Sequence, residues 1–436
     1  MGGAPVRALK VLAASLALAL ATIGAVGCGE STSATADLGC DTPDACVVVQ
    51  LGEPIPIGAL VFVGDPVGDD TVRAAQLAID YLDGKFDGLN GSLLGHPVTL
   101  AVQSDQCDPV GGVSGAKRLI LDPNMLAVIG TTCSGAALNA AAPVLSQHRV
   151  LMVSASNTSP KLTDPAEHER YYFRTSFNDL VQGAVVADYA ASKLHAKTAA
   201  TLYTDDAYAR LLAEAFATAF VSAGGAVVAS HTVPQNGSPT SGVHAAASAR
   251  PSMVFVAGYE PPCGGVVRAL RATPALKDVP VVVAESCQLR QTLKVIGRDA
   301  GRLYASGPDY GDLTSNPFYG AAFLPAYLDR FGEPPLSVFH ATAYDASNLI
   351  FSAIRRAATV RPGGVVVINR AKMREAMIQT QGYEGISGVL SCLPTGDCDP
   401  STRIAIYRAP EWPQVNPHAK PVFSERKSLA DVTARG

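Results

Sequence analysis

Residues 126–163 read LAVIGTTCSGAALNAAAPVLSQHRVLMVSASNTSPKLT, and this stretch decides the fold of the chain. A short apolar run at 126–129 is broken by a Gly-containing turn. An Ala-, Leu- and Val-rich segment then extends to about residue 147, and 150–153 is a second apolar run. The pattern predicts a strand, a helix and a second strand. Such a βαβ unit requires a right-handed crossover and a parallel sheet.

Both predicted strands end in clusters of hydroxyl side chains. Thr131, Thr132 and Ser134 follow the first strand, and the second runs into SASNTS at 154–159. Ligands of parallel α/β sheets bind at the carboxyl ends of strands, where helix N-termini offer free N–H groups. Ser134 stands where we predict an N-cap. The hydroxyls serve either as caps and turn formers only or as a site for a small anionic group such as a carboxylate.

The same alternation continues on both sides of this unit. Before it we predict strands at 55–63 and 97–103, each followed by a helix. After YYFRTS at 171–176 the alternation starts again, with strands at 198–203, 227–232, 253–257 and 279–284. The sequence therefore predicts an α/β protein of two doubly wound, Rossmann-like domains. We also predict a hairpin at 388–408 and a polar tail with little order at its very end.

The N-terminus has the pattern of a targeting segment. Arg7 and Lys10 precede an apolar run at 11–26 that is too short for a comfortable membrane span. The run ends in Ala-Val-Gly-Cys28, which resembles the lipobox of bacterial lipoproteins, with Cys28 as the lipidated first residue. The alternative is ordinary signal-peptide cleavage with Cys28 incidental. Residues 29–53 then form a tether, and the protein is exported.

Nine cysteines occur in the chain, and export makes disulfides available. If Cys28 carries lipid, an even number remains. Their positions make four bridges reasonable, because two pairs are close in sequence and two pairs follow neighbouring predicted strands. These cysteines are Cys40 and Cys46, Cys392 and Cys398, Cys107 and Cys133, and Cys263 and Cys287. A zinc site is disfavoured, because no CxxC occurs.

Several classes of function find no support in the sequence. There is no HExxH, GxSxG or P-loop motif, and no GxGxxG follows the first strand. The net charge is −4, and no basic patch is interleaved with aromatic residues. We therefore expect no metal, no cofactor, no catalytic residue and no nucleic-acid partner.

Four further residues lie at strand ends or helix starts: Tyr208, Tyr259, Glu285 and Phe339. For the three aromatic residues, ordinary packing is the alternative to a ligand contact. A carboxylate directly after a buried strand is costly unless it is paired. Glu285 therefore either meets a ligand ammonium group, or it pairs with Arg290 or caps the next helix.

With these residues in place, the chain resembles a known family. Residues 133–163 are similar to the ligand loop of the leucine/isoleucine/valine-binding proteins, type I periplasmic binding proteins of branched-chain amino acid ABC importers. DQCDP at 105–109, YYFRTSF at 171–177, AGYEPP at 257–262 and HATAYDAS at 340–347 resemble the same pattern in order. The resemblance covers residues 55–407.

The resemblance implies roles for individual residues. Ser134 corresponds to a residue that binds the ligand carboxylate, and the backbone carbonyl of Ser156 to an acceptor for the ammonium group. Thr158 corresponds to a residue that contacts both. Tyr208 and Tyr259 match second-domain aromatics that close over the ligand, and Glu285 the acid that neutralises the ammonium. Asn157 and Phe339 fall near the side-chain pocket, beside a family bridge that matches Cys107 and Cys133.

Two departures from the family pattern point away from leucine as the ligand, although not from an α-amino acid. Asn157 is polar where a small apolar residue lines the branched-chain pocket, and the loop at 67–70 lacks the aromatic residue that the family often has. The Cys263/Cys287 and Cys392/Cys398 pairs are additions to the parent pattern.

The expected organisation follows from the resemblance. The segments are a lipoprotein signal peptide at 1–28, a tether at 29–53, domain 1 at 54–175 plus 308–388, domain 2 at 176–307 plus 389–410, and a tail at 411–436. We expect hinge crossings near 175–177, 305–308 and 388. The expected protein is a monomeric, lipid-anchored receptor that captures an amino acid or similar small carboxylate for an ABC transporter permease. A sensory lipoprotein without transport is the alternative, and an exported enzyme is a weaker third.

Overall fold

The computed structural model describes residues 2, 40, 42, 45–297, 300–399 and 401–434. The chain divides into two units, Met1–Asp41 and Thr42–Gly436. The predicted signal peptide and Cys28 lie outside the described residues, apart from Gly2. Where the chain is described, no helix combines the length and the apolar composition that crossing a membrane requires.

The second unit alternates strands and helices along the chain. Its strands are β1 (Cys46–Val49), β2 (Ile55–Val61), β3 (Ser92–Leu93), β4 (His96–Ser104), β5 (Ala127–Gly130), β6 (Leu151–Ser154), β7 (Tyr172–Arg174), β8 (Thr198–Thr204), β9 (Ala226–Val233), β10 (Met253–Ala257), β11 (Val281–Val283), β12 (Leu303–Pro308), β13 (Ala358–Arg361), β14 (Val365–Asn369), β15 (Tyr383–Glu384), β16 (Val389–Leu390), β17 (Ser401–Arg408) and β18 (Phe423–Ser428). Its helices are α1 (Pro66–Asp80), α2 (Pro109–Leu119), α3 (Ser134–Ala136), α4 (Ala142–Gln147), α5 (Asp179–Ser192), α6 (Ala207–Ser222), α7 (Thr240–Ala249), α8 (Pro262–Ala272), α9 (Arg290–Ile296), α10 (Tyr310–Ser315), α11 (Leu324–Phe331), α12 (His340–Ala357), α13 (Arg370–Ile378) and α14 (Leu429–Thr433).

Two large sheets organise these elements into two domains. The first domain is built on a six-stranded sheet in the order β3-β4-β2-β5-β6-β7, and the second on a seven-stranded sheet in the order β18-β17-β12-β11-β10-β8-β9. Strands β2, β4, β5, β6 and β7 run parallel, as do β8 to β12. The predicted α/β class with two doubly wound domains is confirmed.

The opening βαβ unit is confirmed in register. β5 pairs in parallel with β6, so that Ala127 lies opposite Leu151 and Ile129 opposite Val153. Every residue of both strands is buried, as continuous apolar runs in a parallel sheet predict. The predicted helix between them is interrupted, because Leu138 and Asn139 leave helical geometry inside a π-helical turn that separates α3 from α4.

The predicted hairpin at 388–408 is wrong. β16 pairs with β15, whereas β17 pairs antiparallel with β12 in the second domain. The reason is burial: Ile404, Ala405, Ile406 and Tyr407 are all fully buried, so β17 belongs inside the large sheet rather than in a small exposed hairpin.

The segment predicted as a polar tail instead completes the second sheet. β18 pairs antiparallel with β17 from Ser401 to Ile406, and Trp412 before it is fully buried. Charges on an edge strand discourage pairing with other chains. The buried Lys427 of this strand is paired with Asp188 and Glu425. The end of the predicted tether is likewise ordered, because β1 pairs with β14.

Three of the predicted cysteine pairs form disulfides in this structure, and Cys40 and Cys46 are both disulfide-bonded as well. The three bridges are Cys107–Cys133, Cys263–Cys287 and Cys392–Cys398. The first joins the segments that follow β4 and β5, two strands that flank β2, and the second joins the segments that follow the neighbouring strands β10 and β11. Both lie at the carboxyl edge of their sheets. The third closes a short loop between β16 and β17.

A buried carboxylate on α1 fastens the first domain to the segment that leads into α12. Asp70 is fully buried and accepts hydrogen bonds from the backbone N–H groups of Leu336 (3.0 Å) and Ser337 (2.6 Å). The Ser337 hydroxyl (2.8 Å) and the Tyr327 hydroxyl donate to it as well. Burial raises the pKa of Asp70, and the donors and nearby His340 oppose that rise. One side chain therefore fixes the start of α12, which carries Phe339 at its N-cap.

Replacing the carboxylate of Asp70 should lower the stability of the folded protein. We predict that Asp70→Ala lowers the free energy of unfolding by about 3–5 kcal/mol, because several buried donors lose their acceptor together. Urea denaturation followed by circular dichroism measures the change. The matched control is Glu333→Ala, since Glu333 is 48% exposed in its pair with Arg73 and should contribute about 0–1 kcal/mol. Equal losses of unfolding free energy in Asp70→Ala and Glu333→Ala would contradict the role of Asp70 in fixing the start of α12.

A cleft between the carboxyl ends of two sheets

A cavity of about 440 Å³ lies where the two parallel sheets present the carboxyl ends of their strands. Segments that directly follow β2, β4, β5 and β6 form the wall of the first domain. Segments that follow β8, β9, β10 and β11 form the wall of the second. The lining residues are Phe62, Asp65, Val67, Gln106, Cys107, Thr132, Cys133 and Ser156 on the first side, Thr204, Asp205, Asp206, Tyr208, Val233, Pro234, Gln235, Tyr259, Glu260, Glu285, Ser286 and Leu289 on the second, and Phe339. The cavity has the size of a small-molecule site.

The structure brings five of the predicted site residues together at this cavity: Ser156, Tyr208, Tyr259, Glu285 and Phe339. It places the other three, Ser134, Asn157 and Thr158, behind the first wall, where they are almost completely buried. The Cys107–Cys133 bridge lines the cavity and joins the loops after β4 and β5.

Ser134 is the first residue of α3, and Cys133 is the N-cap, so the predicted capping position is off by one residue. The Ser134 hydroxyl accepts a hydrogen bond from the backbone N–H of Ser159 (3.3 Å) and thereby joins the two hydroxyl-rich strand ends. Its backbone N–H interacts with the hydroxyl of Tyr259, which belongs to the opposite wall. Ser134 itself is almost completely buried and is not among the residues that line the cavity.

Asn157 has a structural role that accounts for its polarity. Its amide nitrogen donates to the carbonyls of Thr131 (2.9 Å) and Thr132 (3.1 Å), and its amide oxygen accepts from the Thr131 (3.2 Å) and Tyr172 (3.4 Å) hydroxyls. The side chain is fully buried and locks the loop after β6 onto the loop after β5. The resemblance implies that Asn157 lies near the ligand side chain, but Asn157 is not among the residues that line the cavity.

Glu285 is held by neutral donors on the second wall. It is 3% exposed, and its two oxygens accept from the Tyr208 hydroxyl (2.7 Å) and the Gln182 amide (2.6 Å). Gln182 also donates to Ser306 (2.8 Å). Among the described residues no salt bridge joins Glu285 to Arg290, and α9 begins after Leu289 without a side-chain cap. Glu285 instead opens the short 3-10 helix Glu285–Cys287, and backbone N–H groups of Glu285 and Ser286 also contribute hydrogen bonds to its carboxylate.

Burial raises the pKa of Glu285, whereas the hydrogen bonds from Tyr208 and Gln182 lower it. The ring of Tyr208 also packs against that of Tyr259, with centroids 5.0 Å apart. Sequence reasoning missed Gln182 and Ser306, because both lie on buried faces of α5 and β12 and only the fold brings them to Glu285.

Arg174, at the end of β7, organises the loop behind the first wall. It is fully buried, and its Nε donates to Asp397 (2.7 Å). Its guanidinium nitrogens also donate to the carbonyls of Asn157 (3.2 Å) and Ser159 (2.8 Å) and to the Thr163 hydroxyl (2.8 Å). The YYFRTSF stretch indicates that Arg174 is unusual, because an arginine directly follows two aromatic residues of a buried strand. The partners of Arg174 are distant in sequence, so the stretch does not reveal them.

Comparison with known proteins agrees with this geometry. Residues 54–410 match the periplasmic binding protein family, and the chain belongs to that family. Leu/Ile/Val-binding protein homolog 3 of Brucella melitensis is 28% identical over 348 residues, which span 79% of this chain and 88% of the relative. Leu/Ile/Val-binding protein BraC3 of Rhizobium johnstonii is 28% identical over 319 residues, which span 72% and 82%.

Solved structures share the fold. The leucine binding protein LivK from Thermotoga maritima has a TM-score of 0.69 at 20% identity, covering 86% of this chain and 98% of that one. LivJ from Streptococcus pneumoniae, in complex with isoleucine, has a TM-score of 0.68 at 20% identity, covering 86% and 99%. The predicted resemblance to the leucine/isoleucine/valine-binding proteins and their type I two-domain fold is confirmed. The protein is a solute-binding protein of an extracytoplasmic family.

The contacts of Arg174 yield a test. We predict that Arg174→Met lowers the free energy of unfolding by about 3–5 kcal/mol, because Asp397 and three loop acceptors lose a buried donor. Urea denaturation measures the loss. Arg210→Met is the control, since Arg210 is 47% exposed in its pair with Glu214 and should contribute about 0–1 kcal/mol. A loss of under about 1 kcal/mol for Arg174→Met would show that the loop does not depend on it.

Proposed function

We propose that this protein is a lipid-anchored extracytoplasmic receptor that binds an amino acid, or a similar small carboxylate, between its two domains and delivers it to an ABC importer. The observation that carries the proposal is Glu285. It is a buried carboxylate on the cavity wall that is held by Tyr208 and Gln182, and no salt bridge supplies it with a cation in the described part of the chain. A ligand ammonium group would supply the missing positive charge.

The first domain offers complementary groups for the other end of the ligand. Ser156 lines the cavity, and the Ser134 backbone N–H lies at a helix start that suits an anion. In the proposed complex ligand entry rearranges the first wall so that Ser134 and Thr158, which are buried behind it in this structure, reach the ligand carboxylate. Thr158 also contacts the ammonium group, and the carbonyl of Ser156 accepts from it. Phe339 packs against the ligand side chain. The buried network of Asn157 holds these groups in place rather than contacting the ligand.

Binding in this arrangement proceeds by domain closure. Ligand that settles on the first wall would be covered by Tyr208, Tyr259 and Glu285 from the second, through contacts made only in the closed state. The domain division proposed is 54–175 plus 308–388 and 176–307 plus 389–410, with crossings near 175–177, 305–308 and 388. β18 extends the second domain beyond the last of these segments.

The relatives support the ligand class. Two of them carry the name Leu/Ile/Val-binding protein, and one solved neighbour is in complex with isoleucine. Another neighbour, an ABC transporter solute binding protein from R. palustris, is in complex with benzoate at a TM-score of 0.68 and 19% identity, covering 86% of this chain and 96% of that one. The common element is a small carboxylate. We propose that the receptor acts as a monomer, without a cofactor or catalysis, together with a permease.

Glu285→Gln tests the ammonium assignment. The amide keeps the size of the side chain but removes its charge, so the affinity for the best-binding amino acid should fall by about tenfold or more. Thermal-shift screening of amino acids and simple carboxylates identifies that ligand, and isothermal titration calorimetry measures the change. Glu214→Gln, an exposed substitution on α6, is the control and should leave the affinity unchanged.

Two outcomes would count against this role of Glu285. One is an unchanged affinity in Glu285→Gln. The other is a thermal shift with carboxylates that lack an amine and none with amino acids, because such ligands carry no ammonium group for Glu285 to neutralise.

The lipid anchor is tested separately. We predict that the mature protein partitions into the detergent phase of a phase-separation assay, and that Cys28→Ala moves it to the aqueous phase, because acyl chains on Cys28 supply the membrane affinity. Partitioning that is the same for both proteins would favour ordinary signal-peptide cleavage.

A further inference from the structure

The cavity walls gather carboxylates, and the described residues that line them include no positively charged side chain. Five carboxylate side chains line the cavity, whereas no lysine, arginine or histidine is among its lining residues. The five are Asp65, Asp205, Asp206, Glu260 and Glu285. Within the described ranges, none of them takes part in a salt bridge.

Neutral groups hold four of these carboxylates in place. Asp65 and Asp206 are N-caps of α1 and α6 and accept from the first N–H groups of those helices. Glu260 accepts from the Gly264 backbone N–H (3.3 Å) and the Thr292 hydroxyl, and Glu285 from Tyr208 and Gln182. Hydrogen bonds and helix dipoles reduce the cost of burying a carboxylate, but they leave its charge in place. Asp205 is exposed at the cavity.

A sixth carboxylate lies directly behind the walls. Asp179 is fully buried, and neither of its oxygens has a hydrogen-bond partner. Its backbone N–H donates to the Thr158 carbonyl (3.0 Å), and the Thr158 hydroxyl lies beside its carboxylate without hydrogen-bond geometry. Burial first, and then the charge of Glu285, raise the pKa of Asp179 well above its ordinary value. The charge of Arg174 opposes that rise, but Arg174 is already paired with Asp397.

The aromatic residues of the cavity suit a cation as well. The rings of Tyr208 and Tyr259 pack together on the second wall, and Phe339 and Phe62 complete an aromatic lining. The faces of aromatic rings attract ammonium and guanidinium groups, most strongly where water is excluded. The carboxylates and the aromatic faces of the cavity therefore both favour a cationic ligand group.

A neutral zwitterion does not balance this site, because its carboxylate cancels its ammonium group. We propose that the cleft selects an amino acid of net positive charge, one whose side chain carries a second amine or a guanidinium. This inference rests on the proposed function, in which Glu285 holds the α-ammonium group. The second cation lies along the wall formed by Asp205, Asp206 and Glu260, next to Tyr259. The same field excludes acidic amino acids from the cleft.

L-lysine and L-norleucine provide the direct test, because they share the same side-chain carbon skeleton and differ by the terminal ammonium group. Isothermal titration calorimetry on the purified full chain should show lysine binding at least about tenfold more tightly than norleucine at low salt, with no heat from glutamate. Norleucine binding as tightly as lysine, or more tightly, would overturn the inference and leave the proposed function intact. An absence of binding by every amino acid would instead overturn the amino-acid assignment and the Glu285 role of the proposed function.

Two further measurements localise the effect. Asp205→Asn should weaken lysine binding by about threefold or more and norleucine binding by a smaller factor, because a charge facing the second ligand cation is lost, whereas Glu214→Gln on the outer surface of α6 should change neither. An equal change for both ligands would contradict the assignment. Cadaverine, which is lysine without its carboxylate, should bind more weakly than lysine. Equal affinity would refute the carboxylate contact of the proposed function while supporting charge selection.

Discussion

The buried guanidinium of Arg174 is the constraint on which the ligand side of the first domain depends. Its side chain reaches two carbonyls of the loop after β6, while its backbone pairs with the loop that Cys392 and Cys398 close: Arg174 N–H donates to Gly396, and Cys398 N–H donates to Arg174. A buried cation has to satisfy all its donors, and Asp397 completes the set. The loop that carries Ser156 and Thr158 is therefore fixed from behind before any ligand arrives.

The two walls of the cleft differ in the number of their carboxylates and in how their polar groups are bonded. The first wall contributes one carboxylate, Asp65, and behind it hydroxyls and amides bond to one another, as Asn157 and Ser134 show. The second wall concentrates carboxylates that only neutral donors support, as Tyr208 and Gln182 support Glu285. A wall of this kind gains most when a cationic group arrives, because burial magnifies an unbalanced charge.

Much of the fold could be predicted because its signals are local. The apolar runs of β5 and β6, broken by hydroxyl-rich turns, define a parallel βαβ unit without further information. The errors arose where the decisive contacts are remote. β17 has the length of a hairpin arm, yet it pairs with β12, nearly a hundred residues earlier, because its apolar residues fit the larger core. β18 is polar enough to be taken for a tail, and only the open edge of β17 makes it a strand.

The sequence by itself determined the class of fold, the location of the candidate site at the carboxyl ends of the strands, and five of the residues at its cavity. It could do so because hydrophobic periodicity and the residue types at strand ends are properties of short segments. Only the tertiary structure decided what surrounds each of them. It showed that Asn157 locks loops, that Gln182 holds Glu285, that Asp179 lies buried without a partner, and that the cavity gathers carboxylates from segments far apart in the chain. Charge balance in a site is a sum over every group within a few ångströms, and that sum exists only once the chain has folded.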